Sequence, residues 1–386
     1  MQGNIRCFPS LLSLLLIVSM AIGQSKQSIS FRDTLDGKSD MSQWLMEARG
    51  FVPIPSIITE PALGYGGMLG GLYLHRKKVA GVSDERGIES LPSMSFAAPL
   101  ATSNGTWAVF GGHSHVFNED RIRLLVMGGY FNINLEYYQL LNQDLPFPIN
   151  FNQKGWLVFT RLMMRIKDSN FLIGPLYRFQ TTDVGVRFNA SDPILDDLED
   201  LLQAKFQTAG LGVHWKWETR DYSFTTNKGN LVNLQYTYYD KWLGGDFTYH
   251  RLNTQYFGYF KPWRTPVMGF RVDGKFSFGD IPTFFKPYVD MRGVPAMRYT
   301  GDHVIVLENE ERIDLTKRWA LVAFGGVGMT SSTTDQFVLE YATFNAGGGF
   351  RYNLARLFNM YMGIDVGVSK EDWAWYITFG SAWSQG

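Results

Sequence analysis

Cysteine is nearly absent: the 386 residues contain one, Cys7, close to the N-terminus. Disulfides therefore cannot hold the rest of the chain together. Neither sign of charge is in excess, with 36 basic and 36 acidic residues. That balance argues against a nucleic-acid partner. After residue 23 no apolar run is long enough to cross a bilayer as a helix, which takes roughly 20 residues. The signatures of common catalysts are missing as well: there is no GxSxG elbow, no HExxH and no P-loop. Internal repeats and a second domain are not evident. These absences predict a protein that is not an enzyme and that carries no cofactor.

The N-terminus reads as an export signal. Arg6 precedes an apolar run from Leu11 to Ile22, and Ala21 and Gly23 are small residues at the spacing signal peptidase accepts. Residues 1–23 are thus expected to be removed. Cys7 lies ahead of the apolar run, where a lipid anchor would not be attached. Residues 24–49 are polar, are too short for a folded domain and are expected to form a short periplasmic segment. Met41 to Met46 suggest one helical turn.

Glycine and aromatic residues are abundant, with 40 Gly, 29 Phe, 19 Tyr and 11 Trp. Aromatics suit strands, and they also suit the interfacial girdles of membrane barrels. The patterning is more specific. In residues 210–218, Leu211, Val213, Trp215 and Trp217 share one face, and His214, Lys216 and Glu218 share the other. In residues 267–279, Met268, Phe270, Val272, Phe276 and Phe278 oppose Arg271, Asp273, Lys275 and Ser277. In residues 359–369, Met360, Met362, Ile364, Val366 and Val368 oppose Tyr361, Asp365 and Ser369. Side chains on a strand alternate between faces. Large apolar faces that recur down the chain, opposite charges and glycines, fit an outer wall against lipid and a polar interior. Closure would also satisfy the backbone, which an open sheet in lipid cannot do.

Fifteen strands are expected near 62–75, 89–101, 104–117, 121–135, 154–167, 170–182, 207–218, 229–240, 247–260, 265–279, 300–312, 318–328, 342–354, 359–369 and 373–384. Barrels of this kind usually have an even number. Residues 50–58, GFVPIPSII, supply the sixteenth. Pro53 and Pro55 would be poor in a central strand but are tolerable at an edge. The fold expected is all-β: a closed, transmembrane, antiparallel barrel of about sixteen strands over 50–386. Short turns, such as 118–120 and 167–170, fall on the periplasmic side. Long loops at 136–153, 183–206, 280–299 and 329–341 fall outside. Loop 76–88 breaks this pattern, and residues 191–203 suggest a short acidic amphipathic helix.

Several segments together resemble a known family. ALGYGGMLGGLYL (62–74), GLGVHWKWETRDYSFTTNKGNLVNLQY (210–236), MRGVPAMRYTGDHVIVLENEERIDL (291–315), RWALVAFGGVGM (318–329) and GGGFRY with GIDVGVS (347–369) are similar to the barrel of the bacterial surface antigen superfamily, the BamA/TamA-type outer-membrane assembly and translocation proteins. The resemblance covers residue 50 to the end. It implies that Arg292 and Gly293 form an Arg-Gly tip of a loop folded back into the lumen. A buried guanidinium needs a carboxylate. The family position for it, two residues after Phe324, is Gly326 here. Asp365, Glu308 and Glu310 are therefore the expected partners, with Asp365 matching the family's penultimate-strand Asp. The family's POTRA modules find no room in residues 24–49.

Trp375, Phe379 and Trp383 are expected on the outward face of the last strand, at the seam with residues 50–58. His113 and His115 stand two apart on one strand face, yet no third ligand is near them in sequence, so no metal site is expected. Interior charges (Arg161, Arg165, Arg271, Lys275, Asp273 and Glu218) are mixed, so no ion selectivity follows. Three functions remain. The first is outer-membrane protein assembly or translocation, with outer-membrane lipid, client outer-membrane proteins and periplasmic accessory proteins as partners and a weak seam as the working part. The second is a passive pore or structural surface barrel. The third is a lipid-active enzyme, which a serine beside a histidine at the outer rim would reveal. All three place the chain in the bacterial outer membrane.

Overall fold

The computed structural model describes residues 30–47, 50–60, 62–75, 93–140, 143–187, 204–263, 265–331, 342–370 and 372–383. Sixteen strands form one antiparallel sheet in which each strand pairs with the next in sequence. They are β1 (Gly50–Ile58), β2 (Gly66–Leu74), β3 (Met94–Thr102), β4 (Trp107–Phe117), β5 (Ile122–Leu140), β6 (Gln143–Arg165), β7 (Phe171–Arg187) and β8 (Ala204–Glu218). They continue as β9 (Gly229–Tyr239), β10 (Tyr249–Phe260), β11 (Val267–Gly279), β12 (His303–Asp314), β13 (Trp319–Ser331), β14 (Ala342–Ala355), β15 (Met360–Ser369) and β16 (Trp373–Phe379). The strand from 50–58 is present, and five strands follow the Arg-Gly loop, as expected.

The alternation read from the sequence decides which side each residue faces. On β13, Trp319 and Leu321 are exposed while Ala320, Val322 and Phe324 are buried. On β15, Ile364, Val366 and Val368 are exposed while Tyr361 and Asp365 are buried. The outer wall is therefore apolar and the interior carries the charges, the arrangement a lipid-embedded barrel requires. No helix among the described residues is long and apolar enough to cross a membrane, which leaves the strands as the only spanning elements described.

Two boundary expectations are corrected. Residues 136–153 are not a loop, because β5 and β6 run on as one long hairpin that pairs as far as Leu140 and Gln143. The last strand ends at Phe379 rather than residue 384, because Gly380 takes a left-handed φ of +78° and its N–H turns to Tyr361 O. The long connections 76–88 and 183–206 fall wholly or partly outside the described residues, as does the expected helix in 191–203. The export signal lies outside them too.

The barrel is nearly closed. No β16–β1 ladder is formed among the described residues, whereas all fifteen other neighbouring pairs are laddered. A side-chain bond from Thr59 Oγ1 to Trp375 O links the two edges.

The N-terminal segment docks at the end of the barrel that carries the short turns. It forms a single helix, α1 (Ser42–Glu47), where one turn was expected. Arg318, in the β12–β13 turn, contacts Asp33 at 2.6 Å, Asp36 at 2.7 Å and Asp40 at 2.5 Å. The guanidinium donating to Asp36 holds that carboxyl down to about 2, against an ordinary 3.8. A carboxyl depressed by docking stabilises the docked state above its free value and loses that contribution as pH falls towards the docked value. A fluorophore on Leu35→Cys should thus keep a high anisotropy from pH 8 to about 4 and lose it between there and pH 2. Arg318→Ala should lower the anisotropy already at neutral pH. A transition centred above pH 5, or no effect of Arg318→Ala, would contradict this picture.

Candidate functional site: the Arg292 loop and the unpaired seam

Between β11 and β12 the chain returns along the polar face of the last strands. Two glycines make the approach possible. Gly293 has φ +84°, and a Cβ there would lie 2.7 Å from Gly367 C and 2.8 Å from Val368 N. A Cβ on Gly367 would in turn lie 2.9 Å from the Arg292 carbonyl carbon. Loop backbone and β15 backbone are thus in direct contact. Gly293 N donates to Tyr376 Oη on β16 at 2.9 Å, and Asn345 Nδ2 on β14 donates to Arg292 O at 2.9 Å. Ala296 N donates to Glu60 Oε1, just past the end of β1, at 2.9 Å. The loop therefore binds both sides of the seam.

The Arg292 side chain is buried among charges. Its Nη1 lies 2.8 Å from Asp365 Oδ2 and 2.8 Å from Glu310 Oε2, the second an ion-pair contact without hydrogen-bond geometry. The guanidinium carbon sits 3.4 Å from the centre of the Phe324 ring, a cation–π contact. Asp365 also accepts from Arg351 Nη2 at 2.8 Å and from Thr378 Oγ1 at 3.0 Å. A carboxylate with two guanidinium partners and a hydroxyl is a satisfied buried charge.

Two of the three expected carboxylates, Asp365 and Glu310, thus meet Arg292. Glu308 does not. It accepts instead from Arg271 Nη1 at 2.7 Å, Asn345 Nδ2 at 3.2 Å and Trp383 Nε1 at 3.2 Å. Gly326 explains why the missing family carboxylate leaves no hole: a Cβ there would lie 2.5 Å from Glu308 Cγ. The Glu308 side chain, from the neighbouring strand, fills that space.

Sequence reasoning missed Arg351, Arg271, Tyr376 and the Phe324 ring as members of the cluster. Arg351 carried a signal, because in GGGFRY the exposed Phe350 forces Arg351 inward.

At the seam, Trp375 pairs with Val366 and Phe379 with Met362, residues of the outward set. Trp383 is a correction: it was expected outward and is buried, 5% exposed. Past Gly380 the chain leaves the strand, Ser381 N bonds Phe224 O, and the Trp383 ring stacks on Phe257 with centroids 6.2 Å apart. Alternation cannot continue through a left-handed glycine.

His113 and His115 face outward with Val109 and Phe117, near the β4–β5 turn. His113 Nδ1 lies 2.8 Å from Ser95 Oγ, which is 2.9 Å from His75 Nε2, and His113 Nε2 lies 3.2 Å from His115 Nδ1. A serine beside a histidine is therefore present, but no described carboxylate bonds to the chain of rings, and it sits at the end of the barrel that carries the short β4–β5 turn. No group of three or more metal-ligating side chains is found among the described residues.

A nearly closed barrel of sixteen antiparallel strands, apolar outside and charged within, is an outer-membrane β-barrel of bacterial type. The Omp85 superfamily domain matches residues 93–291, so the chain belongs to the Omp85 superfamily. This agrees with the BamA-type resemblance of its motifs. No curated protein matches the sequence. Among solved structures, the chain is similar to BamA from Haemophilus ducreyi lacking POTRA domains 1-3, with TM-score 0.55, 10% identity, and 86% of this chain and 71% of that one covered. It is similar to CdiB from Acinetobacter baumannii, with TM-score 0.54, 10% identity, and 85% and 59% covered. It is also similar to CdiB from Escherichia coli, with TM-score 0.51, 10% identity, and 84% and 62% covered. The chain spans less than two thirds of either CdiB structure.

Proposed function

We propose that this barrel assembles or translocates other proteins at the outer membrane through the junction between β1 and β16. The observation that carries the reading is that this junction alone lacks a strand ladder among the described residues. Unpaired edges offer backbone donors and acceptors that an incoming strand satisfies by edge addition. β1 contains Pro53 and Pro55, which cannot donate to a ladder. β16 has only seven residues. The loop carrying Arg292 occupies the lumen in this reading and ties the seam from within, through Tyr376 on one side and Glu60 on the other. Its release frees the edges. Client outer-membrane proteins and periplasmic accessory proteins are the partners.

The test is folding of a urea-unfolded client barrel into liposomes holding the purified protein, followed by heat-modifiable migration. Oxidised Thr59→Cys/Trp375→Cys, which joins the edges, is expected to reduce the catalysed rate to that of empty liposomes, and dithiothreitol to restore it. An unchanged rate in the cross-linked protein would overturn the reading. That outcome would favour a passive barrel, for which the inward anchoring of Trp383 beyond β16 is the supporting observation.

A further inference from the structure

Charges inside the barrel are segregated rather than mixed. The carboxylates of β12 and β15 (Glu308, Glu310 and Asp365) are taken up by Arg271, Arg292 and Arg351. On the side formed by β6–β11 lies a cavity of about 530 Å³, with residues 284–288 of the β11–β12 connection as one wall. Its ionic lining is Arg161, Arg178, Arg251, Lys275, Lys286 and a single carboxylate, Asp273. Five cations thus face one anion, and that anion is shared between Arg271 at 2.8 Å and the cavity's own Lys275 at 3.9 Å. Lys286 has a partner in Asp302 at 2.9 Å. The three arginines have no ion pair with any described carboxylate.

The neutral groups of the cavity orient the guanidinium groups without cancelling their charge: Arg251 Nη2 donates to Phe285 O, and its Nε to Ser277 Oγ at 3.4 Å. Arg161 Nη1 lies 3.0 Å from His214 Nδ1, and His214 Nε2 lies 3.3 Å from Asn233 Oδ1. That geometry makes His214 a neutral acceptor from arginine and a donor to the amide, so it orients the guanidinium without cancelling its charge. Gln153 Nε2, on the same lining, is a buried donor with no partner. Like charges confined together in a low-dielectric interior repel. Spare donors and spare positive charge converge on one space, and its size falls within the usual range for small-molecule sites.

We propose that this cavity binds a small, soluble, multiply charged anion of the phosphate class. Guanidinium groups match phosphate oxygens two at a time, and arginines from β6, β7 and β10 surround the space. The proposal is independent of seam opening, since none of these residues lies on β1 or β16.

The probe is sodium tripolyphosphate, titrated calorimetrically into the full chain in zwitterionic detergent at low salt. Saturable one-to-one binding is expected, weakened by about tenfold or more in Arg161→Gln/Arg178→Gln. Heat-modifiable migration reports whether that variant is folded. If it is not, Arg178→Gln alone carries the test, because its guanidinium makes no described hydrogen bond, and weaker binding is again expected. Absence of saturable binding to the folded wild type, or unchanged affinity in a folded variant, overturns the proposal.

Discussion

Arg292→Ala is expected to destabilise the barrel and to raise its conductance. Removing one member of a buried ion pair strands the other and costs about 3–5 kcal/mol. Here Glu310 loses its only described counter-ion, while Asp365 keeps Arg351. The Phe324 ring loses the guanidinium stacked on it. The loop then keeps its backbone bonds to Tyr376, Asn345 and Glu60, and the packing of Val289, Met291 and Val294 against Val304 and Val306, but loses its one buried cation at β15. In planar bilayers the wild type should show small, flickering currents, and the alanine variant larger and longer openings. Arg292→Lys should fall between, since a lysine keeps the charge but cannot lie flat on the ring and meet two carboxylates together. Unchanged unfolding temperature and conductance in Arg292→Ala would remove the loop from the account.

Gly293→Val is expected to produce the same phenotype by a different route. A β-branched residue at φ +84° is strained, at a cost of about 1–3 kcal/mol before any clash. The added Cβ would also meet the Gly367 and Val368 backbone below 3 Å, where nothing flexible can give way. The loop must therefore lift off β15 and carry Arg292 with it. Gly185→Ala, where a Cβ meets nothing within 4 Å, is the neutral control. Wild-type thermal stability in Gly293→Val would mean that the loop does not rest on β15.

The strands were legible because lipid demands an apolar residue at every second position and the interior tolerates anything polar or small. β1 was legible by parity despite its prolines. The β5–β6 hairpin was not read past residue 135, because polar residues crowd it: Asn152 Nδ2 bonds both Asn132 Oδ1 and Asn134 Oδ1. The end of β16 was misread because Gly380 still fits an alternating pattern, while its backbone conformation does not. Within the site, Arg292, Gly293 and Asp365 stood in recognisable motifs. Glu308 and Glu310 share one face of β12, so alternation placed both inside and could not say which met Arg292. The roles of Arg351, Arg271 and Trp383 depend on contacts between distant strands, which closure creates and no local pattern encodes.

In the proposed function the junction of β1 and β16 is the weak line of the barrel. Hydrogen exchange followed by mass spectrometry, on protein in lipid bilayers, tests it most directly. Amides of β1 and β16 that face the junction should exchange much faster than those of β12 to β15, and cross-linking Thr59→Cys to Trp375→Cys should slow them. Equal protection of β1, β16 and the interior strands would mean a continuous ladder, and would contradict the account.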